Sequence, residues 1–149
     1  MFLFRATLLA FVFSLFSLSA HALEFKSVAV TKAILFDAPS SSANKKVLLS
    51  LNYPVEVVVN LNDWIKVRDA AGGIYWIEAK NLSTKRTVIL KSNTELRQTA
   101  DANATIVATL EKDLVLDLVE AMPTNGWLKV KHRDGLQGYV QVVNVWGIE

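Results

Sequence analysis

Along most of the chain, apolar and polar residues alternate over short runs, the period of a half-buried β-strand and not of a helix. In YPVEVVV (53–59), Tyr53, Val55, Val57 and Val59 fall on one face of an extended segment, while Glu56 points the other way. LVLDLVE (114–120) repeats the arrangement, with Leu114, Leu116 and Leu118 on that face and Asp117 opposite. WIKVR (64–68) and WLKVK (127–131) are rich in β-formers, and each runs into a glycine turn. A short strand then returns through Trp76-Ile77 or Tyr139-Val140. Earlier in each half lie a first strand (28–36 and 87–96) and a further strand (46–51 and 106–110). The loops between them, DAPSSSANKK and RQTADANAT, are made of polar and small residues. No helix is expected.

These halves are copies of one another. Trp64–Leu82 laid on Trp127–Val145 without gaps matches at 10 of 19 positions. Five are identical: Trp64/Trp127, Lys66/Lys129, Val67/Val130, Gly72/Gly135 and Asn81/Asn144. Upstream the offset changes from 63 to 61, as Val55-Glu56-Val57 aligns with Leu116-Asp117-Leu118. The difference falls in a loop, NLND in one copy and AMPTNG in the other, where Asn125-Gly126 signals a tight turn. A repeated unit of about 60 residues is marginal alone. Closing its sheet into a small barrel covers the exposed edges. The expected fold is therefore all-β, two tandem barrels of about five strands each, over 23–84 and 85–149. Joined directly at STKRT, the two should also pack on each other.

The first residues interrupt this picture. One positive charge in Met1 to Arg5 precedes an apolar run from Ala6 to Ser19, followed by Ala20-His21-Ala22. That is the pattern of a secretory signal peptide, residues 1–22, cut near Ala22. The apolar run is too short for a spanning helix, which needs about 20 residues. An exported, periplasmic protein with no stable membrane span after cleavage is expected.

Charge and chemistry narrow the function. Without Arg5 the mature chain carries 15 basic and 14 acidic residues, too even for a nucleic-acid surface. There is no cysteine, and only His132 remains of the two histidines once the leader is removed. No cofactor and no metal site is expected. His132 near Asp134 could pair a base with a carboxylate, but copy one has Asp69 and Ala71 at those positions, so a solvated turn is the preferred reading.

Each copy resembles the bacterial SH3-like domain family of exported cell-envelope proteins. The resemblance rests on Ala38-Pro39-Ser40 in the loop and on Asp63-Trp64-Ile65-Lys66-Val67 with Gly126-Trp127-Leu128-Lys129-Val130 at the centre. Tyr75-Trp76-Ile77 with Gly138-Tyr139-Val140 follow, and Asn81-Leu82 with Asn144-Val145 close each unit. Copy one departs from the pattern, with Asp63 and Tyr75 where glycine is usual. The proline and tyrosine of the eukaryotic peptide groove fall on Glu78 and Asn81, and on Gln141 and Asn144. Proline-rich peptide binding in that mode is not expected.

The resemblance implies a non-catalytic binding or scaffolding protein whose partner is cell-wall peptidoglycan or an envelope protein. Strand alternation puts Trp64, Lys66 and Arg68 on the face opposite Ile65 and Val67, with Trp127, Lys129 and Lys131 matching them. With Tyr139, these are the candidate ligand-binding residues. The competing assignment has each Trp capping its barrel or filling the space between barrels. Two alternatives stand beside binding. One is a structural subunit of an envelope complex; the other is a hydrolase using Asp69, Glu78 or Asp134.

Overall fold

The computed structural model describes residues 22–148, so the leader lies outside the described residues except for Ala22. The described chain is almost entirely strand, in two antiparallel sheets of seven. The first unit contains β1 (Glu24–Val28), β2 (Lys32–Phe36), β3 (Lys45–Ser50), β4 (Pro54–Asn60), β5 (Trp64–Arg68), β6 (Ile74–Glu78) and β7 (Leu82–Ser83). The second contains β8 (Thr87–Leu90), β9 (Thr94–Arg97), β10 (Ile106–Leu110), β11 (Val115–Leu118), β12 (Trp127–Lys131), β13 (Gln137–Gln141) and β14 (Val145–Trp146). The sheets have the same order, β3-β2-β6-β5-β4-β1-β7 and β10-β9-β13-β12-β11-β8-β14. Among the described residues no helix is long and apolar enough to cross a membrane.

The all-β tandem architecture agrees with the periodicity. The count of seven strands instead of five has two local causes. The expected first strand breaks at a turn, into β1 and β2 in one unit and β8 and β9 in the other. After a single 3-10 turn (Ala79–Asn81, Val142–Asn144), a two-residue strand closes each sheet. The Asn125-Gly126 turn forms as expected. Both residues have positive φ, 53° and 82°, and Thr124 and Trp127 exchange backbone hydrogen bonds of 2.8 and 2.9 Å.

Each sheet wraps its own core. Val28, Leu35, Val55, Ile65, Val67 and Ile77 fill the first, and Val88, Leu90, Leu96, Leu116, Leu128, Val130 and Val140 the second. One expected core residue is not there. Val59 is 38 % exposed, because a bulge between Val57 and Val59 on the β4–β5 pair reverses the alternation.

The units pack on each other. Phe25 of β1 meets Trp146 of β14 edge to face, with ring centroids 5.3 Å apart. Arg86 lies over the Phe25 ring and donates to the Gly147 carbonyl at 3.1 Å. Thr87 Oγ1 donates to the Asn52 carbonyl at 2.7 Å, and Lys85 Nζ donates to Asn52 Oδ1 at 3.4 Å. Phe25 and Trp146 form the ring pair at the junction, and Tyr53 faces residues 89–91 of the other unit, so neither Trp64 nor Trp127 supplies this ring pair.

Candidate functional site

Strands β5 and β12 set the outward row as their alternation requires: Ile65 and Val67, and Leu128 and Val130, are buried between the outward residues. The candidates on that row do not gather into one cluster. Arg68 and Lys131 stand at the far strand ends, about 13 Å from the tryptophans at 3.3 Å per residue. Arg68 pairs with Glu56 at 3.6 Å, while Lys131 is exposed. Lys129 pairs with Glu120 at 3.2 Å, and Tyr139 faces it in register on β13. Lys66 lies over the Trp76 ring, 5.0 Å from its centroid.

The two tryptophans have different surroundings. Trp64 is half-buried against Phe36, whose ring meets it edge-on at 5.5 Å. Trp127 is only 8 % exposed and forms one wall of an open groove of about 350 Å³. Asn93, Thr94, Glu95 and Arg97 bring β9 and its approach to this groove, and Gln141 and Asn144 bring the end of β13 and the turn after it. Trp127 is thus a wall and not an open stacking platform.

Within the groove Arg97 is already engaged. It donates to the Ala104 carbonyl at 2.8 Å and forms an ion pair with Glu95. The Gln141 carboxamide offers both donors and an acceptor, whereas Asn144 Oδ1 already accepts from Ser92 Oγ at 3.4 Å and its NH2 group is left to donate. Thr94 is 5 % exposed, and its Oγ1 has no hydrogen-bond partner among the described residues. Of these residues, only Trp127 was selected as a site residue by sequence reasoning. Gln141 and Asn144 were noted there only as polar replacements in a peptide groove. The signal for Thr94 is its replacement of Ala33, a core residue of the first unit.

The carboxylates considered for hydrolysis do not converge. Asp69 Oδ1 accepts the Ala71 and Gly73 N–H groups at 3.0 and 2.8 Å, closing the β5–β6 turn. Asp134 does the same work in the equivalent turn of the other unit, accepting Leu136 N–H at 2.9 Å. That bond, and then His132 Nδ1 at 2.8 Å, hold the Asp134 carboxyl below the usual carboxylate range. Glu78 stands at the opposite end of β6, paired with Lys80 at 2.8 Å. Its carboxylate raises the Lys80 ammonium above its ordinary value by hydrogen bond and charge. Among the described residues no cluster of three or more His, Cys, Asp or Glu could hold a metal ion.

The family comparison agrees with the tandem architecture. The bacterial SH3 domain family matches twice, over residues 29–84 and 91–147. No curated protein matches the chain. Among solved structures, NlpC2 from Trichomonas vaginalis is 12 % identical, with TM-score 0.39, covering 86 % of this chain and 49 % of that one. An NlpC/P60 family protein from Bacillus cereus is 16 % identical, with TM-score 0.38, covering 83 % of this chain and 56 % of that one. The chain therefore spans about half the length of these structures.

Proposed function

The chain belongs to the bacterial SH3 domain family, and from that premise we propose that it is an exported, non-catalytic binding protein of the cell envelope. In this reading residues 1–22 are removed and 23–84 and 85–149 are the two domains. The ligand is cell-wall peptidoglycan, bound in the groove beside Trp127. One observation carries the reading: a polar groove in which Gln141, Asn144 and Thr94 surround an aromatic wall while the nearest charges neutralise each other. A wall polymer of amide-bearing sugars and peptides presents the donors and acceptors that such a lining matches. The carboxylates, engaged in turns and surface pairs, support binding over hydrolysis.

The outward cations contribute less than their repetition suggests. Arg68 and Lys129 are paired with carboxylates, and Lys66 covers an indole. The experiment is co-sedimentation of the mature protein with purified sacculi at low and physiological salt. The expected result is a pelleted protein, with the double variant Gln141→Ala, Asn144→Ala binding about tenfold or more weakly, as loss of two hydrogen-bonding groups requires. Lys131→Ala should bind as the parent does. A parent protein that stays in the supernatant at low salt, where charge attraction is strongest, refutes the reading.

A further inference from the structure

The two copies repeat one sequence but differ in the residues around the two tryptophans of β5 and β12. Superposing them through their common strand order places Phe36 on Arg97, Ala33 on Thr94, Ile34 on Glu95 and Glu78 on Gln141. In the first barrel the Phe36 ring is 5 % exposed and stands edge-on against Trp64, 84° between the planes. In the second barrel the side chain at this position is an arginine that bonds Ala104 and Glu95, with the groove beside Trp127 left open. The first barrel's version of the site is filled by its own side chain.

We propose that Phe36 is a built-in plug, so that the chain binds one ligand, in the second barrel alone, and that the ligand segment taken there is an uncharged, N-acylated sugar. This rests on the reading of the Trp127 groove as the ligand site. The neutrality follows from the Glu95–Arg97 pair, which leaves no free charge at the groove for an anion or cation to meet. The preference for hydroxyl and acetamido groups follows from what remains unpaired. Thr94 borders the groove, and its buried Oγ1 has no partner among the described residues. Gln141 can engage an amide in both directions, and Asn144, whose Oδ1 already accepts from Ser92 Oγ, can donate to one. In the first barrel alanine at position 33 removes the hydroxyl, and Glu78, bound to Lys80, replaces the carboxamide.

The test uses the mature full chain and tri-N-acetylglucosamine, followed by amide and indole resonances in NMR titration. Resonances of Asn93, Thr94, Trp127, Gln141 and Asn144 should move together and saturate at one equivalent. The Trp64 indole should stay in place. Thr94→Val, which keeps the side-chain shape, should weaken binding about fivefold to tenfold. Transplanting Ala33→Thr, Ile34→Glu and Phe36→Arg together should add a second site and bring the Trp64 indole into the response. If that triple variant fails to fold, the parent titration and Thr94→Val still decide. Equal movement of Trp64 and Trp127 in the parent, two equivalents at saturation, an unaffected Thr94→Val, or no response to the sugar each overturn the proposal. Sacculus binding retained without sugar binding would leave the cell-wall reading standing and remove this one. Sugar binding without sacculus binding would do the reverse.

Discussion

Two threonines of the second barrel, on adjacent stretches of sequence, should respond to the same substitution with opposite signs. Thr87 is 1 % exposed, and its Oγ1 donates to the Asn52 carbonyl of the other barrel at 2.7 Å. Thr94 is 5 % exposed, and its Oγ1 has no partner. Valine replaces either residue with nearly the same volume and β-propensity, so packing is conserved and only the hydroxyl is removed. At Thr87 the change removes a part-buried hydrogen bond between the barrels, which costs about 0.5–1.5 kcal/mol. At Thr94 it relieves a desolvated group of its penalty, a gain of about 1 kcal/mol. For a unit of this size 1 kcal/mol shifts the melting temperature by about 4–8 °C. Calorimetry should therefore place Thr94→Val several degrees above the parent and Thr87→Val several degrees below it. A Thr94→Val protein that melts below the parent would show that the hydroxyl is satisfied inside the fold, for example by a buried water. Thr94 would then not be held unpaired for a ligand. Stabilisation combined with weaker sugar binding would be the mark of a residue kept for function at the expense of the fold.

Three other expectations follow from particular contacts. Gly138→Ala would set a Cβ 2.6 Å from the Arg97 carbonyl and 2.7 Å from Leu96 Cγ, whereas Gly135→Ala meets open space at φ +99°. Urea denaturation should show a loss of about 2–3 kcal/mol for the first and about 1 kcal/mol for the second; equal losses would mean that β9 and β13 are not so closely apposed. Phe25→Ala, which empties the buried side of the Phe25–Trp146 contact, should cost about 3–5 kcal/mol and speed proteolysis between Ser83 and Thr87; unchanged cleavage would mean that the junction does not depend on this pair. Asp37, lowered chiefly by the Asn44 side-chain amide, and Asp134, lowered chiefly by Leu136 N–H, should titrate in NMR with midpoints below 3.8. Because each folded value lies below the unfolded one, their contributions to stability are complete above that ordinary value and are lost as pH falls through the folded midpoints; Asn44→Ala should return Asp37 toward 3.8, and a midpoint that stays low would assign the shift to another group.

Much of the fold is local information. Leu116, Leu128 and Val130 could be placed in the core from alternation alone, since a strand sends successive side chains to opposite faces whatever lies beyond it. Asn125-Gly126 and Gly135 could be placed in turns because few residues accept their positive φ at low cost. Val59 shows where this stops. Its bulge depends on how β4 meets β5, and one displaced residue moved a valine from core to surface.

The candidate site was less legible, and for a related reason. The sequence by itself determined the duplication, most of the alternation that builds the cores, and the place of Trp64 and Trp127 on the outward faces of their strands. All of these depend on neighbours along the chain or on comparison of one half with the other. Whether an outward tryptophan meets a ring, a groove or the other barrel depends on residues from strands far apart in sequence. Only the tertiary structure set Phe36 against Trp64, gathered Thr94, Gln141 and Asn144 around Trp127, and gave the barrel junction to Phe25 and Trp146. A strand's period dictates which way a side chain points; the sheet's pairing and curvature dictate what it finds there.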